Sequence, residues 1–261
     1  MTLEACAEIV RRGDPDRFLA AMAAPVAARA RLLPLYAFNV EVARAPWVTG
    51  EPLIAEMRLQ WWLDVLDEIA SGRPVRSHEV ATELAGVLDA DTARMLVPLV
   101  EARRWDAYRE PFADEAAFEA HLAAGSGALM RASARVLGAG GGTGDGTESG
   151  MAALDDLGVA MGLAGWFRAV PELVVHGRQP LPDDRPEAVA RLARSGLARL
   201  ASARRAGIPA QAVPAARAAW RTGAILTRAA AHPGRVLEGG LEGAEVARRA
   251  GLLWRALAGR W

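Results

Sequence analysis

Lysine is absent from the 261-residue chain, so all 31 basic residues are arginine. A Walker-type phosphate loop, a Schiff base and pyridoxal-phosphate chemistry all need lysine, and all three are excluded. Cysteine occurs once, as Cys6. It allows no intrachain disulfide and no cysteine zinc cluster. The four histidines, His78, His121, His176 and His232, form no HxxxH repeat, and that spacing does not suit a histidine metal site. An excess of either charge is also missing, since 31 acidic residues balance the arginines. Without a basic excess, nucleic acid is not an expected partner. Residues 1–12 carry Glu4 and Glu8 and no long apolar run, unlike a secretory leader. No stretch approaches the ~20 consecutive apolar residues that span a bilayer. The cytoplasm is the expected location, with peripheral contact to the inner face of the membrane left open.

What is present favours helix. Hydrophobic residues make up 52% of the chain, which excludes disorder as the main state. Alanine, leucine and arginine dominate, apolar residues recur at three and four, and no alternating β run stands out. Asp14-Pro15 starts a helix, the aspartate as cap and the proline in the first turn. Pro25 and Pro34 are expected to break or kink the run that follows. Pro46 and Pro52 bracket a loop. The next helix runs from about Leu53 to Ser71 and stops at Gly72. Further helices are expected near 78–88, 91–108, 114–137, 151–170, 186–206, 212–231 and 241–258. The glycine-rich segment from Gly138 to Gly150 lacks a preceding strand and the GxGxxG spacing, so it reads as a flexible surface loop. It does not force a domain boundary, and no internal repeat is visible. One all-α domain over residues 1–261 is the expected organisation.

Three constellations carry chemical information. In Leu35-Tyr36-Ala37-Phe38-Asn39-Val40-Glu41-Val42-Ala43-Arg44, polar Asn39 and Glu41 sit among apolar neighbours. Glu41 and Arg44 can pair on one helix face; composition alone reads this as a core helix with one surface ion pair. In Arg58-Leu59-Gln60-Trp61-Trp62-Leu63-Asp64-Val65-Leu66-Asp67-Glu68, three carboxylates share a face. They can hold a magnesium bridging a diphosphate, though a solvated acidic face opposite a Trp/Leu stripe is the plainer reading. The run from Asp155 to Pro171 holds Gly158, Gly162 and Gly165. Each costs a helix about 1 kcal/mol relative to alanine, so close helix packing or a cavity wall should offset them.

These residues resemble the squalene/phytoene synthase family, from about Asp14 to Pro182. Tyr36-Ala37-Phe38 matches the lead-in to the family's first aspartate-rich signature. Ala43 and Arg44 fall where its first two aspartates belong, and Trp47 where the third belongs. In the second signature Gly158, Ala160, Leu163, Arg168, Glu172, Gly177, Arg178, Leu181 and Pro182 match. Gly162, Gly165, Ala169 and Leu173 replace its Gln, Asn and two aspartates. Segments 36–44, 57–62 and 166–182 resemble the branch that contains the mitochondrial complex I assembly factor and its bacterial relatives, which is similar in lacking those aspartates.

The resemblance implies an isoprenoid-synthase-like helical bundle around a central cavity. It implies pocket residues Tyr36, Asn39, Glu41, Arg58, Arg168 and Arg178, with no catalytic residue and no metal ligand. Arg168 and Arg178 suit bidentate contact with a diphosphate. Ionising an allylic diphosphate needs magnesium held by several carboxylates, and the kept residues do not supply them. The expected role is therefore non-catalytic, in isoprenoid or lipid binding or in respiratory-complex assembly with a protein partner, and no cofactor is expected. Two alternatives stand beside it. An active prenyl transferase would use magnesium relocated to Asp64/Asp67/Glu68 or Asp155/Asp156. A lipid- or membrane-surface-binding module would use the central cavity and the terminal helix, whose stripe Val246, Ala250, Leu253, Leu257 and Trp261 is flanked by Arg248, Arg249, Arg255 and Arg260. Docking of that stripe on the body is the favoured reading.

Overall fold

Several helices begin where the chain supplies a cap or a proline. The computed structural model describes residues 3–48, 50–108, 110–140 and 146–261, except the side chains of 146–147 and 245–249. No strand occurs among the described residues. In order the helices are α1 (Leu3–Gly13), α2 (Pro15–Met22), α3 (Val26–Arg44), α4 (Pro52–Ala70), α5 (Glu79–Ala85), α6 (Ala90–Met95), α7 (Val97–Ala102) and α8 (Arg104–Tyr108). There follow α9 (Glu115–Leu122), α10 (Ala128–Val136), α11 (Gly146–Val175), α12 (Pro186–Ala206), α13 (Val213–Ala216), α14 (Thr222–Ala231), α15 (Gly234–Glu238) and α16 (Glu245–Leu257). The Asp14 side chain accepts the Arg17 N–H at 2.9 Å. Asp89 and Asp114 cap α6 and α9 in the same way, each satisfying a donor that the first turn leaves orphaned.

Several boundaries depart from the expected pattern. Pro34 does not break α3, which runs through it. The proline sacrifices one backbone hydrogen bond at a cost of about 3 kcal/mol. Burial of Leu32, Leu33, Leu35, Tyr36 and Phe38 around it offsets that cost. The helix expected over 91–108 is three short ones, because Pro98 lacks an N–H and restarts the chain as α7. The span 114–137 is interrupted by a π-helical turn at Ala123–Gly127, and 212–231 by 3₁₀ turns before α14. Of the expected glycine-rich loop, 141–145 lie outside the described residues, and α11 already begins at Gly146.

Helix α11 runs through the middle of the molecule, packed by α9, α10, α12, α14 and the π turn. One buried cluster extends from Cys6 on α1 to Leu241 and contains most of the core. By length and composition α11 is also apolar enough to cross a membrane, with half of the relevant window buried inside the protein. A search for an unbroken apolar run misses it because Arg168 and Glu172 interrupt the leucine, valine and alanine that make it apolar. The glycines set its packing distance. A Cβ on Gly158 would lie 2.8 Å from the Gly127 Cα, and one on Gly162 would lie 2.8 Å from the Ser126 Cβ. Both expected explanations for the glycines therefore apply: Gly158 permits close approach, and Gly165 opens on the cavity described next, with nothing within 4 Å of an added Cβ.

The terminal helix differs from expectation. Leu252 is buried against Ala20 and Trp220, whereas Leu253 and Leu257, which belong to the expected docking stripe, are 61% and 77% exposed. The docked face is turned by about one residue from the one the apolar pattern suggested. The side chains of Val246, Arg248 and Arg249 lie outside the described residues.

Candidate functional site

A cavity of about 710 Å³ opens beside α11. Met161, Gly162, Gly165, Trp166, Arg168, Ala169 and Glu172 form its α11 wall. Opposite stand Asp14, Asp16 and Arg17 from the α1–α2 corner, Asn39, Val40, Ala43 and Arg44 from α3, and Trp47. Arg103 and Asp106, His121 and Ser126, and Arg221 and Thr222 close the remaining sides. Trp166 lines the cavity without filling it, because its indole N–H donates to the Pro180 carbonyl at 2.8 Å. Phe167 faces the other way, fully buried in the core.

The cavity's charges are compensated within the chain. Asp14 pairs with Arg17. Asp16 receives both Arg168, at 3.0 Å, and Arg221. Glu242, beyond the lining, binds the same two arginines, with Arg168 at 2.7 Å. Burial opposes ionisation of Glu242, but Arg168 and Arg221 outweigh it and hold its pKa below the ordinary range. Asp106 pairs with Arg103 at 3.4 Å. Its burial nonetheless raises its pKa, and Arg103 only partly opposes that. Glu172 faces His176 at 3.4 Å. His121 lies among the rings of Trp105, Phe112 and Trp166. Burial, with Arg103 adding, pushes its pKa down to about 3, so the ring is neutral.

The six expected pocket residues do not share one site. Asn39 and Arg168 line the central cavity. Glu41 and Arg58 line a separate cleft of about 390 Å³ with Arg44, Trp61, Trp62 and His78. Tyr36 is buried, bonded to Ser133, and its pKa is pushed up to about 12 by burial. The Arg17 guanidinium stacks over its ring at 5.5 Å, so Tyr36 supports the cavity wall from behind. Arg178 follows Gly177, whose positive φ of 72° ends α11 in a conformation that favours glycine. Its guanidinium donates to the carbonyls of Trp105, at 3.2 Å, and Asp106. It lies 5.2 Å over Trp47 and 5.5 Å over Trp105. That arrangement ties α8 to Trp47 on the cavity wall, and Arg178 itself is not part of the lining.

The carboxylates that a relocated magnesium would need are elsewhere. Asp64 and Glu68 are tied to Arg76, and Asp67 to Arg73. Asp155 and Asp156 are tied to Arg131 and Arg199. None of the five lines the central cavity, and no group of three or more His, Cys, Asp or Glu side chains converges among the described residues. Sequence reasoning missed Asp16, Arg103, Asp106, His121 and Arg221. Of these only Asp16 lay in a segment already singled out, where the helix-start pattern explained its neighbours.

A sequence profile for squalene/phytoene synthase matches residues 10–250. The chain is 32% identical over 100 residues to NADH dehydrogenase (ubiquinone) complex I, assembly factor 6 of Bos taurus, covering 38% of this chain and 30% of that protein. It is 30% identical over 192 residues to phytoene synthase of Rhodobacter capsulatus, covering 70% of this chain and 52% of that one. The matched segments thus span about half or less of these relatives. The crystal structure of a dehydrosqualene synthase in complex with ligand superposes with a TM-score of 0.78 at 15% identity, over 98% of this chain and 95% of that one. That likeness concerns the all-helical fold.

Proposed function

The chain belongs to the squalene/phytoene synthase family, and from that premise we propose that it is a binding protein rather than a prenyl transferase. Its cavity takes an apolar chain with an anionic head, a prenyl diphosphate or a lipid. The protein serves in respiratory-complex assembly, as the likeness to complex I assembly factor 6 suggests. The observation that carries this reading is the charge pairing inside the cavity. A magnesium ion that draws off a diphosphate needs several open carboxylate oxygens. Here Asp14, Asp16 and Asp106 each already hold an arginine, and Glu172 faces His176. As arranged, these residues do not fit that ion. Arg168 or Arg221 can instead turn from Asp16 to an incoming anion, leaving the carboxylate to the other arginine.

The test is titration of the full chain with farnesyl diphosphate, with magnesium and with EDTA, following tryptophan emission and diphosphate release together. Trp47 and Trp166 line the cavity and report occupancy. Saturable quenching that is equal in both conditions, with no release, is expected. Magnesium-dependent release overturns the non-catalytic reading, and a flat titration overturns the cavity ligand. For the assembly role, deleting the gene should lower assembled NADH dehydrogenase on native gels; unchanged assembly removes that part.

A further inference from the structure

The N-terminal half of α4 leaves an apolar face without a partner among the described residues. Leu53, Ile54 and Met57 are 73%, 38% and 65% exposed, and Val48 on the adjoining turn is 55% exposed. Helical spacing stacks Leu53, Met57 and Trp61 on successive turns, with Ile54 and Arg58 alongside. Single exposed aliphatics are ordinary, but four together at the edge of a cleft are not.

Val48 lines the smaller cleft, of about 390 Å³, and α4 carries its Arg58 and Trp61 into the same lining. Arg58 lines it and makes no ion pair among the described residues. Arg44 meets Glu41 only at 3.5 Å and keeps its side chain 65% exposed. Two guanidinium groups therefore line the cleft against one carboxylate, Glu41. His78 accepts the Val80 N–H at Nδ1, 3.2 Å away, which leaves its proton on Nε2 in the neutral ring. Trp61 stands edge-to-face against Trp62 at 4.8 Å. The cleft is rich in donors, poor in acceptors and walled by indole. The nearby Glu56 does not oppose an anion there, because it is bound to Arg104. Along α4 the aliphatic tips come first, then Arg58, then Trp61 one turn further, and aliphatic side chains beside arginine and tryptophan are the set a helix brings to a bilayer interface.

We propose that this face docks on a membrane containing anionic phospholipid, with a headgroup phosphate held in the cleft by Arg58 and Arg44. Leu53, Ile54, Met57 and Val48 then sit among the acyl chains. A soluble phosphate would satisfy the two arginines but would leave that apolar rim in water, so the rim selects the lipid. Arg44 borders the central cavity as well. Docking therefore holds that cavity's α3 wall at the bilayer, whatever the cavity binds.

The test is co-sedimentation of the full chain with phosphatidylcholine vesicles, with and without phosphatidylglycerol. Binding is expected only with phosphatidylglycerol, and it should weaken as salt rises. Arg58→Gln should lower the partition coefficient about fivefold, and Arg58→Lys should retain most of it. Leu53→Ser with Met57→Ser should lower it at least about tenfold. These positions are exposed, and unchanged thermal midpoints will show that the variants remain folded. Three results overturn the proposal: equal pelleting of all variants; absence of vesicle binding alongside Arg58-dependent binding of inorganic phosphate or an acidic peptide; or pelleting abolished only by Leu253→Ser with Leu257→Ser.

Discussion

Alanine in place of Gly158, Gly162 or Gly165 adds the same methyl group to the same helix in three different surroundings. In each case a mid-helix glycine is removed, a gain of about 1 kcal/mol. At Gly165 nothing lies within 4 Å of the new Cβ, so the gain stands alone. At Gly158 the Cβ meets the Gly127 Cα at 2.8 Å, the Ser126 carbonyl oxygen at 2.9 Å and the Met130 Cβ at 3.0 Å. Two of those atoms are backbone and cannot rotate away, so α11 must separate from the π turn. Overpacking of this kind costs about 1–3 kcal/mol. At Gly162 the contact is the Ser126 side chain, at 2.8 Å to Cβ and 2.9 Å to Oγ. The hydroxyl can turn and the Cβ cannot, which places that variant between the other two. The propensity gain cancels between Gly165→Ala and Gly158→Ala, leaving the overpacking cost as their difference. For a chain of this size that is roughly 2–12 °C in thermal midpoint. Parallel thermal scans by circular dichroism measure it directly. A Gly158→Ala midpoint at or above that of Gly165→Ala would refute the reading that the glycines set the distance between α11 and the π turn.

Two further outcomes follow from buried titratable groups. His121 has its pKa pushed down to about 3, while in the unfolded chain it titrates near ~6.5. Between those values the unfolded state binds the extra proton, so stability is lost as pH falls from about 6.5 toward 3, by about 2–3 kcal/mol at pH 4.5. Asp106, with its raised pKa, works in the opposite sense, so the wild type must be compared with His121→Phe, whose midpoint should fall less steeply over that range. Parallel profiles would count against burial of a neutral imidazole. Cys6 is fully buried, and burial, with Glu83 and Glu79 adding, pushes its thiol up to about 12. Iodoacetamide at neutral pH should label it only after denaturation; equal labelling of native and unfolded protein would contradict that burial.

The parts of the fold that sequence reveals are those governed by local chemistry. Helix α12 occupies Pro186–Ala206 as expected, because its proline start and the Gly207 stop are both local. Asp14, Asp89 and Asp114 mark helix starts for the same reason. Where tertiary packing decides, local reading fails. Pro34 sits inside a helix because a core exists on both sides of it, and the π turn at Ala123–Gly127 faces a glycine some thirty residues away. The site follows the same division. Asn39 and Arg168 lie on the cavity. Arg178 matches that pattern equally well, yet its guanidinium is spent on two carbonyls and two indoles. Arg168 shows why a motif alone is insufficient. Alone on α11 it reads as a diphosphate clamp. The fold brings it Asp16 from α2, 152 positions away, and Glu242 from the loop before α16. Those same two carboxylates hold Arg221, whose side chain is 7% exposed. A cation held in this way exchanges one anion for another instead of facing water. The same network that pairs Asp16 and Glu242 with arginine therefore holds two guanidinium groups, Arg168 and Arg221, at the cavity wall.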